Sequence, residues 1–387
     1  MKRWIFFLAL LAAFPPLSTD MYLPSIPTLA RVWNEPLWVI NLTLVVFFVT
    51  YSFFLLVYGP LSDRFGRRTV LKAGLLVYIG ASLFCAAAPN APSLIVFRMF
   101  QAAGAASAAS LVLAISKDVF AFHEREKILA YLGVVIALAP MLAPVIGGWT
   151  LAFFSWRVIF LILAGVGIVA IRGVHRMEET LKPSLRSSKV SVVDNYLPLL
   201  RNPTYMALVL VVALAIVPLF AFIAASSDIY ISRFGLSEQV YGYFFGFNAL
   251  ALMAGSLLCT RLSGRVSSAR ILSLCYLGVT VGGVLLLLVD QNGPWKLALP
   301  MLCISFSAGL SRPPSNNLVL SQVHHGAGAA ASFLMFTIMT GGALAMWFIS
   351  LGWENKITVL GIMGLVCGVL GGVLWLALQR RQMIAGH

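Results

Sequence analysis

From Trp4 onward the chain is a succession of long apolar runs separated by short polar breaks. Each run is long enough to cross a hydrocarbon layer of about 30 Å as a helix, and no soluble domain fits between them. Twelve helices are predicted, over about 4–30, 38–60, 70–88, 93–115, 127–151, 155–174, 205–225, 238–262, 269–289, 295–321, 328–350 and 355–378. The opening MKRWIFFLALLAA has the basic start and apolar centre of a secretory leader, but the apolar run continues through MYLPSIPTLA. A retained first helix is therefore expected.

Composition agrees with this pattern. Of the 387 residues, 60% are hydrophobic and 10% charged, and the mean hydropathy is +0.94. That is far from a soluble domain and describes a polytopic membrane protein. Cys85, Cys259, Cys275, Cys303 and Cys367 all fall within predicted spans, where they act as small apolar residues, so no disulfide framework and no metal site is implied. The net charge of +14 would suit a nucleic-acid partner, yet its distribution points elsewhere. Twenty of the twenty-seven Lys and Arg lie in the even-numbered connections and the two tails. Arg31, Arg157, Arg233, Lys296 and Lys356 lie on the opposite side, and Arg98 and Arg312 fall within spans. By the positive-inside rule both termini are cytoplasmic.

The longest polar segment, 175–204, divides six helices from six and is expected to be a cytoplasmic linker. Within it VVDNYLPLLRNP has the pattern of a short interfacial helix, with Val192, Tyr196 and Leu199 or Leu200 toward lipid headgroups. The flanking halves, 1–174 and 205–387, echo one another. STDMYL at 18–23 matches SSDIYI at 226–231, and LSDRFGRRTV at 61–70 has a degenerate partner in LSGRVSSARI at 262–271. An even number of spans separates the copies, so the halves are parallel repeats about an axis normal to the membrane, the architecture of alternating-access carriers with substrate held between the halves.

Three short motifs carry a family resemblance. YGPLSDRFGRRTV, between the second and third spans, clusters Asp63, Arg64, Arg67 and Arg68 around the turn residues Gly59 and Gly66. Read alone it is a positive-inside anchor. With twelve helices it resembles motif A of the major facilitator superfamily, in which the acid docks on the N-terminus of the eleventh helix and the arginines pair with nearby acids to latch the cytoplasmic side. The resemblance implies that Asp63 faces the helix beginning near Gly326–Ala329 and that Asp118 partners Arg67. The second copy has Gly264 where the acid would stand, so the latch is asymmetric. FRMFQAAG places Arg98, Gln101 and Gly104 in an arrangement similar to motif B, with snorkelling to the outer surface as the less favoured account of the arginine, and the Ala/Gly/Ser run after it reads as close helix packing. LAPMLAPVIGGW, with Pro140, Pro144, Gly147 and Gly148, resembles motif C, the antiporter signature, in the A-P-x-x-G-G form of the Bcr/CflA branch. STDMYLPSIP resembles the same branch. The tenth span, GLSRPPSNNL, departs from the family pattern.

Depth along the spans brings two charges together. Asp20 lies about 9 to 10 residues, or roughly 14 Å, from the outer end of the first helix, and Arg98 about 5 residues, or roughly 8 Å, below the outer end of the fourth. The arginine side chain covers much of the difference, so the two are expected to meet. Desolvation favours the protonated acid and the arginine favours the ionised one, which suits proton coupling. Asp228, by the same arithmetic, is expected at a solvated outer rim. Arg312, about 17 residues into the tenth span, either lines the cavity or snorkels inward.

The family resemblance implies an all-α, twelve-helix transporter of the bacterial inner membrane. It would be a monomer without cofactor, driven by the proton gradient and exporting small amphipathic or aromatic compounds. The same fold would also serve a metabolite exporter or a proton symporter. Candidate cavity residues are Tyr22, Asn41, Tyr51, Gln101, Phe245, Asn248, Asn316, Asn317 and Phe336, each of which also suits simple packing. An intramembrane enzyme is disfavoured, because His123, His175, His324, His325 and His387 lie at loops or ends and supply neither a nucleophile–base pair nor ligand spacing. No phosphate-binding loop of the G-x-x-x-x-G-K-[ST] form occurs, so ATP-driven pumping is unsupported.

Overall fold

The computed structural model describes residues 2–186, 192–323 and 326–380, so His324, His325 and His387 lie outside the described residues. In chain order the helices are α1 (Lys2–Asp20), α2 (Ile26–Trp33), α3 (Leu37–Phe65), α4 (Arg67–Ala87), α5 (Ala91–Val119), α6 (Phe122–Phe153), α7 (Arg157–His175), α8 (Val192–Leu200), α9 (Pro203–Leu214), α10 (Val217–Ser227), α11 (Glu238–Leu262), α12 (Ser268–Leu288), α13 (Pro294–Leu320), α14 (Ala327–Ser350) and α15 (Lys356–Arg380). No strand occurs among the described residues. An all-helical chain is one of the two architectures that lipid permits, since each helix satisfies its backbone N–H and C=O groups internally.

Among the described residues eleven spans are long and apolar enough to cross a membrane, with α1 and α2 forming one span and Pro203–Arg233 another. The twelfth expected crossing, α13, is a 27-residue helix whose polar content comes from Lys296, Arg312 and the SNN run. The fold is thus an all-α polytopic membrane protein. It divides into two compact units, one of residues 1–192 with 238–242, the other of 193–237 with 243–387.

In the first unit α4 and α5 pack closely, as do α3 with α5, α4 with α7 and α1 with α6. The unbroken buried run from Gln101 to Ala108 on α5 is made of small residues beyond Gln101, which lets neighbouring backbones approach. A Cβ added at Gly104 would sit 2.6 Å from the Tyr78 backbone nitrogen of α4. In the second unit α15 repeats the device against α12, with Gly361, Gly364, Gly368 and Gly371 set under Leu287, Gly283, Thr280 and Tyr276.

Two spans change helical type next to a repeated acid. After Asp20 the chain leaves the α-helix and passes through a 3₁₀ turn, Leu23–Ser25, before α2 begins. The cause is Pro24, which has no N–H to give the Asp20 carbonyl four residues back. After Ser227 the seventh span continues as a π-helical turn, Asp228–Arg233. This corrects the expected end near 225 and with it the position of Asp228. The acid is not on a solvated rim: it is a mostly buried partner of Lys356, with Oδ2 2.7 Å from Nζ.

The short helix α8 also departs from expectation. Tyr196 and Leu199 are buried and Tyr196 packs against Phe333 of α14, with Leu200 left exposed, so these two side chains face protein and not headgroups; the Val192 side chain lies outside the described residues.

Candidate functional site

The break after Asp20 frees backbone groups that a continuous helix would have used. Tyr22 donates its N–H to the Thr19 carbonyl at 3.2 Å instead of to Ser18. The Ser18 carbonyl is therefore available, and Arg98 takes it: Nη1 donates to Ser18 O at 2.8 Å and to Gln101 Oε1 at 2.6 Å. Gln101 is held in turn, its amide nitrogen donating to Ser82 Oγ at 2.9 Å. The Ser18 hydroxyl shares a 2.7 Å hydrogen bond with the Tyr78 hydroxyl. Ser18, Tyr78 and Ser82 were not singled out from sequence, since a hydroxyl in an apolar run is common and nothing in its spacing marks it as part of a network.

Arg98 is completely buried. Its guanidinium carbon lies 4.3 Å from the Phe47 ring centre, 5.0 Å from Tyr22 and 5.9 Å from Phe160. Three ring faces replace part of the hydration that the cation loses. Snorkelling to the surface is thereby excluded. The side chain turns inward because the freed Ser18 carbonyl and the rings offer more than the rim does. Nε and Nη2 have no acceptor among the described residues.

Asp20 is 6% exposed and, contrary to the depth arithmetic, forms no ion pair with Arg98 in this conformation. Its side-chain partner is Thr19, whose Oγ1 lies 2.8 Å from Oδ1. The arithmetic assumed a straight helix; the turn after Asp20 presents the Ser18 carbonyl to Arg98 and leaves the acid on its neighbour's hydroxyl. Gly147 of α6 sits directly against the Met21 backbone, one residue past the acid. Pro140 and Pro144 lie within α6, which runs unbroken to Phe153.

The remaining candidates divide by burial. Tyr22, whose hydroxyl accepts from Thr43 at 3.0 Å, is enclosed within the first unit, as are Asn41, Tyr51 and Gln101. Phe245 stacks on Phe222 and Asn248 accepts from Ser305, both inside the second unit. Asn316 and Asn317 are exposed and Phe336 is half-buried. Arg312 is exposed and makes no ion pair or hydrogen bond among the described residues.

At the opposite end of the first unit the charged loop closes on itself. Arg67 lies 2.6 Å from Asp63 and 3.2 Å from Asp118, and Nη1 also donates to Ser62. Gly66 has φ +94°, a conformation that favours glycine, and a Cβ there would also strike the Glu179 carboxylate. Glu179 caps α4, accepting from Arg67 N at 2.8 Å and Arg68 N at 3.2 Å. Arg68 in return donates to the Val174 and His175 carbonyls that end α7. Opposite charges thus sit at the helix ends whose dipoles favour them. Arg64 is exposed beside Phe65, and Gly59 has open space around its Cα. Glu179 was missed from sequence because 112 positions separate it from the amide it caps.

Comparison with known proteins places these features in context. The sequence profile of the Major Facilitator Superfamily matches residues 8–346. The chain is 27% identical over 329 residues to the "Bicyclomycin resistance protein homolog" of Haemophilus influenzae, covering 83% of this chain and 81% of that one. It is 26% identical over 394 residues to the "Multidrug resistance protein MdtL" of Salmonella paratyphi B, covering 100% and 98%. Among solved structures a D-xylose-proton symporter superposes with a TM-score of 0.74 at 13% identity, over 96% of this chain and 97% of the other. That likeness concerns the fold.

Proposed function

Because the chain belongs to the Major Facilitator Superfamily, we propose that this transporter exports small amphipathic or aromatic compounds in exchange for protons, by alternating access, from a bacterial inner membrane with both termini cytoplasmic. Two relatives named for bicyclomycin and multidrug resistance support the direction and the cargo class. The A-P-x-x-G-G run of α6 supports it independently, as the antiporter form of motif C.

The observation that carries proton coupling is Asp20, a buried carboxyl at a helix break whose side-chain partner is a hydroxyl and not a cation. The Thr19 hydroxyl lies within reach of the Pro15 and Pro16 carbonyls as well as Asp20. Having one proton, it serves either state of the acid. It donates to an ionised Asp20, or accepts from a protonated one while donating to Pro15. The unused Nε and Nη2 of Arg98, which already holds Ser18 two residues away, offer the ionised acid a second position. Proton binding and release would then move Asp20 between Thr19 and Arg98 and turn the break at Met21 with it.

Asn316, Asn317, Phe336 and Arg312, which are not enclosed, are the favoured cargo contacts. Tyr22 and Gln101, both against Arg98, hold the coupling region together. The loop from Gly59 to Arg68, with Asp118, serves as the cytoplasmic latch. In everted membrane vesicles, collapse of the proton gradient should stop uptake of a fluorescent amphipathic dye. Uptake that persists after collapse would overturn the proton-coupled reading.

A further inference from the structure

Arg98 reaches both of its hydrogen-bond acceptors with a single nitrogen, and each acceptor is held from α4. Nη1 donates to the Ser18 carbonyl and to the Gln101 amide oxygen. Ser18 has one hydroxyl proton, which goes to the Phe14 carbonyl at 2.6 Å, so Tyr78 is the donor in the 2.7 Å bond between their hydroxyls. One turn further along α4 the Ser82 hydroxyl donates to the Tyr78 carbonyl at 2.7 Å and accepts from Gln101 Nε2 at 2.9 Å. Ser18, Tyr78, Ser82, Arg98 and Gln101 are all completely buried. Tyr78 is fixed in turn, its ring 4.7 Å from that of Phe14 and its backbone against Gly104 of α5.

With Nη1 committed, the donors left over are Nε and Nη2, which have no acceptor among the described residues. They share one edge of the planar guanidinium, where two parallel N–H groups match the two oxygens of a carboxylate. The second unit provides an internal comparison, because its copy of the acid, Asp228, has Lys356 as a cation of its own. There the network is missing. α13 carries no charged, amide or hydroxyl side chain from Leu297 to Ile304, the stretch corresponding to Arg98 and Gln101, and α12 none from Val281 to Leu288. The buried polar chain from α4 to α5 thus accompanies the acid that lacks an ion pair.

We propose that Tyr78 and Ser82 are positioning residues for proton coupling, a role that rests on the reading of Asp20 as the coupling acid. They hold the two acceptors of Nη1, and so keep the Nε–Nη2 edge of Arg98 for the ionised form of Asp20. The titratable groups nearest the arginine are Tyr22, Tyr78 and Cys85. Other charged residues on the helices packed against α1 stand near the helix ends: Lys117 and Asp118 on α5, 123–127 on α6, and Arg157, Arg172 and His175 on α7. Arg157 is held by the Ala88 carbonyl and the Trp156 ring.

The full-length transporter in nanodiscs is titrated with acid while the infrared carboxylic-acid band of Asp20, identified by its loss in Asp20→Asn, is followed. A misplaced arginine stabilises the ionised acid less, so proton affinity rises. Tyr78→Phe and Ser82→Ala should each move the midpoint up by about one pH unit, tenfold in affinity. In an Arg98→Lys background, which lacks the fork edge, adding Tyr78→Phe should move it no further. Tyr205→Phe removes an equally buried tyrosine bond, to the Ala330 carbonyl in the second unit, and should unfold as Tyr78→Phe does with the midpoint at the parental value. That comparison separates positioning from stability. Three results overturn the role: equal midpoints in parent, Tyr78→Phe and Ser82→Ala; a further rise from Tyr78→Phe in the Arg98→Lys background; or an Asp20 that keeps one protonation state at every pH where the protein stays folded. Proton-coupled export fails separately. Dye uptake that survives gradient collapse, beside the shifted midpoints, removes proton exchange and leaves Tyr78 and Ser82 as the residues that set the proton affinity of Asp20.

Discussion

The backbone carbonyl of Met21 occupies the place where a side chain at Gly147 would begin. The glycine of the antiporter-like motif therefore seats the turn that follows Asp20, which gives that motif a mechanical meaning in this protein: α6 fixes the break on which the acid is carried. Gly147→Ala should push α6 from the turn, with an overpacking cost of about 1–3 kcal/mol. Transport should fall steeply in everted vesicles. Gly165→Ala in α7, where an added Cβ meets nothing within 4 Å, should transport as the parent does.

Arg98 holds two buried acceptors, the Ser18 carbonyl and the Gln101 amide oxygen. Arg98→Ala orphans both, at about 1–3 kcal/mol each. Thermal unfolding in detergent should show the loss, provided the variant is made in membranes at all. Arg98→Lys keeps the charge but not the planar fork, so it should unfold close to the parent while transporting poorly. Equal transport by Arg98→Lys would reduce the arginine to a point charge.

Much of this was legible beforehand, and the failures share a cause. The spans could be read because apolar length is a local property, and the charged loop because its turn residues and charges are contiguous. The break after Asp20 was also visible in principle, since Pro24 stands four residues on and removes the N–H its carbonyl requires. Treating the first span as one straight helix hid it, and the expected Asp20–Arg98 pair failed for the same reason. Asp228 was misplaced because the π-helical turn extends the seventh span past its expected end. Lys356, its partner, lies 128 positions away. Contacts of that kind depend on which helices pack together, which periodicity does not reveal.

The Glu179 cap yields a separate expectation. Glu179→Gln keeps a hydrogen-bond acceptor but removes the charge that the first turn of α4 favours, so the first unit should lose about 1 kcal/mol. Thermal unfolding checks the direction. Glu178→Gln, one residue earlier and exposed, should have no effect.

Orientation follows from the charge asymmetry. In a background with the native cysteines replaced, Ser184→Cys in the linker should resist an impermeant maleimide in intact cells and react after permeabilisation. Asn292→Cys, between α12 and α13, should react in both. The reverse pattern would place the termini outside.

The central expectation concerns Asp20 itself. An acid at this burial, with no cation against it, is costly to keep ionised, so a static structural ion pair does not account for it. Coupling requires the ionised form in one stage of the cycle and the neutral form in another. Asp20→Asn fixes a neutral group of similar shape that still hydrogen-bonds Thr19, so folding should be preserved and unfolding should match the parent. Proton-driven efflux should be abolished, while downhill exchange of cargo persists. The direct measurement is cargo-induced proton release from purified protein in weak buffer: the parent should release protons and Asp20→Asn should release none. If the variant releases as many protons as the parent and still concentrates cargo, the carboxyl serves only to shape the turn at Met21, and the coupling group lies elsewhere in the chain.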